Sequence, residues 1–385
     1  MSYTKNFFDE KNEWSRYKDI LLNGYLVPYF TKVMRTGIDI VYIDGFAGKG
    51  KFQDGSIGSP LIAKNAIYQA KGISKTTTKI FPYFIEFEFA DELTKNLSDR
   101  NSTVISGDYK TEVPKILNSQ KGKNIFLYVD PFGIKYLDFE IFKNLKTSEY
   151  KSVELLLNLN SFGFIREACR LLKLKQEAFD DELPDNVYSS DKAKNTTDNM
   201  NKIANGDYWI EIVEEYNAGK YDIFEAEQIF LERYKDELKK IFGYVYSIPI
   251  KKSKSRLSKY QMIFATNHKD GAMLMADEMI KCNNLMQNKI NNGQMWFFDY
   301  NYSLNNISKV VYDVITDYYT NIKDLYDKIY TTYGFLYLTS DINKELKNLE
   351  NQDKIIIQRI PPFTDKGKPT KSMDIKKHTI RVKRK

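Results

Sequence analysis

The sequence predicts an α/β protein: a doubly wound, mostly parallel sheet carrying a helical insertion, with a small helix-rich domain behind it. Three observations predict this. Five short β-rich runs alternate with helical segments between residues 38 and 159, the pattern of strands joined by crossover helices. Each run ends in a polar residue or glycine, as expected where strands reach the carboxyl rim at which open α/β sheets bind ligands. Residues 305–385 then read as three helices followed by a β-hairpin, the order of a winged helix.

Each element has a local reason. Residues 12–34 carry Trp14, Tyr17, Leu21 and Leu22 near helical spacing, with Pro28 as an expected kink. A β-rich run at 38–43 leads into Asp44-Gly45-Phe46-Ala47-Gly48-Lys49-Gly50. Ser59-Pro60 places an N-cap and a first-turn proline ahead of a helix to about Ala70. Strands follow at 80–85, 103–106, 124–129 and 153–159, separated by helices at 90–97, 111–118 and 139–145. Residues 167–240 read as a helical insertion with a polar gap at 183–206. An antiparallel pair is expected at 244–251 and 259–265, joined by the basic turn 251–256, and then a helix at 270–282. The asparagine-rich stretch 283–302 reads as a linker. The main domain thus spans 1–300 and the second 305–385. In the latter, helices are expected at 310–319, at 322–330 and after Thr339-Ser340, with strands at 353–360 and 374–382. A helical oligomerisation module is the structural alternative to the winged helix.

Composition narrows the class. The chain of 385 residues is 42% hydrophobic and 14% aromatic, which supplies a core and excludes a disordered chain. Two cysteines, Cys169 and Cys282, exclude a disulfide framework or a cysteine metal cluster, and with only His268 and His378 no metal is expected. No segment has the apolar length of a membrane span or a signal core, so a soluble, cytoplasmic protein is expected. The net charge of +7 is uneven: residues 364–385 hold nine basic and two acidic side chains, which equals the whole excess. A basic end on a neutral body attracts phosphate backbones; a solvated tail is the plainer reading.

Four rim segments carry chemistry. In the loop Gly45, Phe46, Ala47, Gly48 and Gly50 after Asp44, glycine lets backbone approach a nucleotide-like ligand. The loop lacks both the Gly-Lys-Ser/Thr of a phosphate loop and the spacing of the dinucleotide fingerprint. Glu86, ending the second run, can accept bonds from ribose hydroxyls, with Glu88 as the alternative. Asp108, after Gly107 at the third, is placed to meet an adenine amino group; otherwise it is a helix cap. The fourth segment is Asp130-Pro131-Phe132-Gly133. Lys18 lies one helical turn from Trp14: either it faces a ligand carboxylate, or it is a surface lysine beside a core tryptophan.

Taken in order, the glycine loop, two acids and this tetrapeptide resemble class I S-adenosylmethionine-dependent methyltransferases. Asp130-Pro131-Phe132-Gly133 is similar to the Asp/Asn-Pro-Pro-Tyr/Phe motif of enzymes that methylate amino groups of nucleic-acid bases. In such enzymes the acid or amide and the proline carbonyl accept the exocyclic amine, and the aromatic ring stacks on the base. Here Phe132 stands at the second proline and Gly133 at the aromatic. More narrowly, Trp14, Lys18 and Tyr25, Tyr42 through Gly48, Gly58-Ser59-Pro60-Leu61, the tetrapeptide and Phe264-Ala265-Thr266-Asn267 resemble the three-Cys-motif partner proteins. The resemblance implies S-adenosylmethionine as methyl donor, held by Lys18, Asp44, Gly45, Phe46, Ala47, Gly48, Gly50, Glu86 and Asp108. Asp130, Pro131 and Phe132 would be the catalytic residues, and a cysteine-motif protein a companion. Nucleic acid is the expected partner, gripped by the basic C-terminus and the 251–256 turn. A non-catalytic binding subunit and a methyltransferase acting on protein or a small molecule are the competing readings.

Overall fold

The computed structural model describes residues 11, 13–98, 101–145, 147–174, 196–251, 258–290 and 306–385. Contacts divide the chain into two units, Met1–His268 and Lys269–Lys385.

The first unit is built on a seven-stranded sheet. Its strands are β1 (Ile40–Asp44), β2 (Ile80–Glu86), β3 (Thr103–Ser106), β4 (Asn124–Val129), β5 (Ser152–Leu159), β6 (Tyr244–Ile250) and β7 (Tyr260–Thr266), in the order β3-β2-β1-β4-β5-β7-β6. Strands β1 to β5 pair in parallel, and β7 runs antiparallel to both β5 and β6. One reversed strand inserted before the last is the sheet of a class I methyltransferase fold. Each of β1 and β4 is buried along its whole length, as strands covered on both faces must be.

The two faces take alternate residues. Helix α1 (Glu13–Met34) covers one of them. There Tyr25, Tyr29 and Phe30 meet Tyr42, Phe126 and Phe264, the Tyr42 and Phe126 rings stacking at 5.8 Å. The intervening residues Val41, Ile43, Leu127 and Leu155 enter the larger core on the other face. Pro28 lies inside α1, which continues unbroken past it. Around the sheet lie α2 (Ser59–Ser74), α3 (Ala90–Leu97), α4 (Tyr109–Ser119), α5 (Phe139–Lys143) and α6 (Ser161–Leu171). The insertion supplies α7 (Thr197–Ala204), α8 (Tyr208–Asn217) and α9 (Ile223–Lys239). The expected polar gap is therefore partly helical: Thr196 caps α7, and Met200 and Ile203 are buried. The part of that gap before Thr196 lies outside the described residues. So does the basic turn, apart from Lys251.

The second unit begins with α10 (Lys269–Ile290), a helix the sequence reading placed with the first domain and ended at residue 282. Its extension through 283–290 corrects the linker expectation: Met286 is fully buried there, and packing overrides the asparagine-rich composition. Then come α11 (Ile307–Val314), β8 (Thr320–Asn321), α12 (Ile322–Tyr333), α13 (Thr339–Asn351), β9 (Ile355–Ile360) and β10 (Thr379–Arg384). Strand β10 is central, pairing antiparallel with β8 and β9. The order helix, short strand, two helices and hairpin is that of a winged helix, with residues 361–378 as the wing. The first of its helices stops at Val314, short of the expected 319, and the two-residue β8 follows. Among the described residues, no helix is long and apolar enough to cross a membrane, and no cluster of metal-ligating side chains occurs.

Candidate active site

The carboxyl ends of β1, β2 and β4 bring three of the expected acids to one rim. Asp44 ends β1 and is wholly buried. Its Oδ1 accepts the N–H of Phe46 at 3.2 Å, while Oδ2 has no hydrogen-bond partner of good geometry. Burial pushes its carboxyl up to about 7, against the opposing pull of the Ser59 hydroxyl and the Phe46 amide; the negative charges of Asp130 and Glu86 act in the same direction as burial. Asp44 therefore feels the charge of both other rim carboxylates.

The glycine loop is tied to the neighbouring strands. The N–H of Gly45 donates to the Tyr128 carbonyl at 2.9 Å and that of Ala47 to the Ile85 carbonyl at 3.0 Å. At Gly45 a Cβ would come within 2.6 Å of the Tyr109 ring, so no other residue fits without repacking. Gly50 has φ +74° and packs beside Leu93, a left-handed turn that returns the chain toward α2. Phe46 lays its ring 4.9 Å from that of Tyr109, turning inward.

Glu86 accepts the Gly48 N–H on Oε2 at 2.8 Å, and the Glu88 and Phe89 N–H groups on Oε1 at 3.0 and 3.2 Å. Three of the roughly four acceptor positions of a carboxylate are thus filled. One remains on Oε2, enough for one ribose hydroxyl. Beside it Phe87 is 61% exposed, an aromatic face at the rim that the sequence reading did not single out. Asp108 is exposed and caps α4, its Oδ1 accepting the Lys110 N–H at 2.7 Å. The structure thus gives Asp108 the cap alternative and leaves its Oδ2 outside that bond.

Asp130 is the centre of a second cluster. Lys18 Nζ, on α1, donates to Oδ1 at 2.9 Å and Oδ2 at 2.8 Å. Asn158 Nδ2, from β5, donates to Oδ1 at 2.6 Å, and the Tyr128 hydroxyl to Oδ2 at 3.2 Å. Four contacts fill the carboxylate's acceptor positions. The Lys18 ammonium also lies 4.9 Å from the Tyr260 ring centre, within cation–π range. Lys18 is buried, so the surface-lysine alternative is corrected; its partner is an acid of its own chain. Lys11, which precedes α1, pairs with Asp19, the neighbour of Lys18 in the chain, and burial raises the Asp19 carboxyl to about 6 despite that partner.

Sequence reasoning missed Tyr128, Asn158 and Tyr260. The signal for two of them was present. Tyr128 and Asp130 are two apart and so share a face. The parallel register that sets Val129 against Leu157 extends to Asp130 beside Asn158. Pro131, Phe132 and Gly133 follow, half-buried. A side chain at Gly133 would meet nothing within 4 Å, and its backbone is extended, so the missing aromatic is not excluded by space.

No protein-family model matches the chain, and no curated protein matches it. Among solved structures, the plantazolicin methyltransferase BpumL in complex with SAH aligns with 66% of this chain and 86% of its own. Identity is 11% and the TM-score 0.29.

Proposed function

We propose that the chain is an S-adenosylmethionine-dependent methyltransferase acting on an exocyclic amine of a nucleic-acid base. The observation that carries the reading is the sheet itself: the order β3-β2-β1-β4-β5-β7-β6 with β7 alone reversed, and Asp44 and Glu86 ending adjacent strands at one rim. The buried Oδ2 of Asp44, which accepts no hydrogen bond of good geometry, fits a cationic or N–H-bearing ligand. The remaining acceptor position of Glu86 fits a ribose hydroxyl, and the exposed Phe87 ring fits the flat face of an adenine. The bound donor would supply an activated sulfonium methyl group. The loop at Gly45–Gly50, Asp44 and Glu86 would hold it, with Lys18 and Asp108 at the margins. Asp130, Pro131 and Phe132 would receive the acceptor amine. An external amine reaches the Asp130 carboxylate only in exchange for Lys18.

Nucleic acid as the partner is supported by the second unit. Of the acids of α13, Glu345 is buried, Glu350 holds Arg359 through two 2.7 Å bonds, and Asp341 pairs with Lys344 at 3.6 Å. Lys344, Lys347, Asn348 and Asn351 form its exposed stripe at helical spacing. The wing adds Lys366, Lys368, Lys371, Lys376 and Lys377, with Phe363 57% exposed. The resemblance to three-Cys-motif partner proteins adds a companion protein, and the saturated Asp130 carboxylate favours, as a second reading, a non-catalytic cofactor-fold subunit. Purified protein given labelled S-adenosylmethionine with mixed DNA and RNA separates the two. Labelled polymer supports the enzyme, and Asp130→Ala then loses transfer. A protein that binds the donor and labels no polymer supports the subunit.

A further inference from the structure

We infer that Lys18 is itself a methylation site: the chain's own amine occupies the acceptor position beside Asp130. The inference rests on the methyltransferase reading and concerns the same site. An acid after the fourth strand is where an acceptor amine would be received, and the amine held there is Lys18 Nζ, 2.8 and 2.9 Å from the two carboxylate oxygens. Asn158 and Tyr128 fix that carboxylate from the side, and the Tyr260 ring stands 4.9 Å from the nitrogen. Helix α1 is anchored independently. The Lys11 ammonium bonds both Asp19 and the Ile57 carbonyl, so the segment carrying Lys18 is pinned to the loop before α2. A buried amine preorganised against a partly exposed carboxylate differs from the helical lysine pairs at i,i+3, such as Lys115–Glu112 or Lys281–Glu278, whose lysine side chains are more than half exposed.

The step balances. One ammonium proton passes to an Asp130 oxygen, and the N–H bond pair becomes the lone pair on Nζ. That pair forms the new N–C bond to the methyl carbon while the electrons of the donor's C–S bond stay on sulfur, giving a neutral thioether. The proton leaves from Asp130, whose side chain is 22% exposed, and Lys18 becomes N-methyllysine. The product keeps its positive charge and its ion pair.

The full-length protein is incubated with S-adenosylmethionine and digested, and the Lys18 peptide is weighed by mass spectrometry. Expected is the gain of one methyl group on Lys18 ahead of every other lysine, slowed about a hundredfold or more in Asp130→Asn, which removes the proton acceptor. A second measurement needs no donor. Acetic anhydride labelling should find Lys18 protected in the wild-type protein and lose that protection in Asp130→Asn. Calorimetry on the same sample separates the two claims. Bound donor with Lys18 unmodified overturns this inference and leaves the donor site standing; no donor binding overturns both. Methyl groups spread evenly over surface lysines, or Lys18 acetylated as fast as they are, would also overturn it.

Discussion

Asp44 carries the most testable single charge in the site. Its carboxyl, raised to about 7 by burial, changes charge near neutrality. A cationic ligand should therefore bind more tightly as pH rises from 6 to 8, by up to about tenfold for one titrating group. Asp44→Asn should flatten that dependence; an unchanged profile in the variant would place the titration elsewhere. Gly45 makes a steric prediction. Adding a methyl group 2.6 Å from the Tyr109 ring forces repacking, and Gly45→Ala should lower stability by about 1–3 kcal/mol in urea unfolding. At this scale the rim acids were legible because each is a polar residue ending an apolar run. Lys18 was not. Its partner lies 112 positions away, and nothing local distinguishes a lysine that pairs with Asp130 from one in water.

Helix α1 binds the sheet through a polar contact inside an aromatic layer. The Tyr25 hydroxyl donates to Glu154 Oε2 at 2.6 Å, and burial pushes the Glu154 carboxyl from 4.5 up to about 8, against the pull of that hydrogen bond. Below about pH 4.5 the group is protonated in both the folded and the unfolded chain, and its contribution is fully present. Between about 4.5 and 8 the unfolded chain ionises while the folded one keeps its proton, so stability falls; above 8 the loss is complete. Glu154→Gln keeps an acceptor for Tyr25 and removes the titration. Wild-type stability should therefore decline relative to the variant from pH 5 to 8, by an amount on the order of a few kcal/mol. Parallel declines would show that Glu154 does not carry the effect. Most elements were legible because strand and helix periods alternate cleanly between Ile40 and Leu159. Those misread were set by packing. Residues 283–290 look like a linker until Met286 is seen in a core, and the two-residue β8 has no period to detect; it exists because β10 offers it an edge.

The chain joins a class I methyltransferase sheet to a unit that carries its surplus positive charge. If the stripe on α13 and the wing meet a phosphate backbone, duplex binding by the full chain should weaken linearly in log–log plots against salt. Each contacting lysine replaced by glutamine should reduce the slope by about 0.9. Lys344→Gln with Lys347→Gln tests the helix, and Lys366→Gln with Lys368→Gln the wing; slopes unchanged in both pairs would remove nucleic acid from this surface. The central claim concerns the first unit: that two acids at the ends of neighbouring strands hold a methyl donor. Isothermal titration of the full-length protein with S-adenosylmethionine tests it most directly. The account predicts saturable binding at one site, weakened about tenfold or more in Glu86→Ala, which removes a charge-assisted hydrogen bond. An absence of binding, or equal affinity in the wild-type protein and Glu86→Ala, would contradict it.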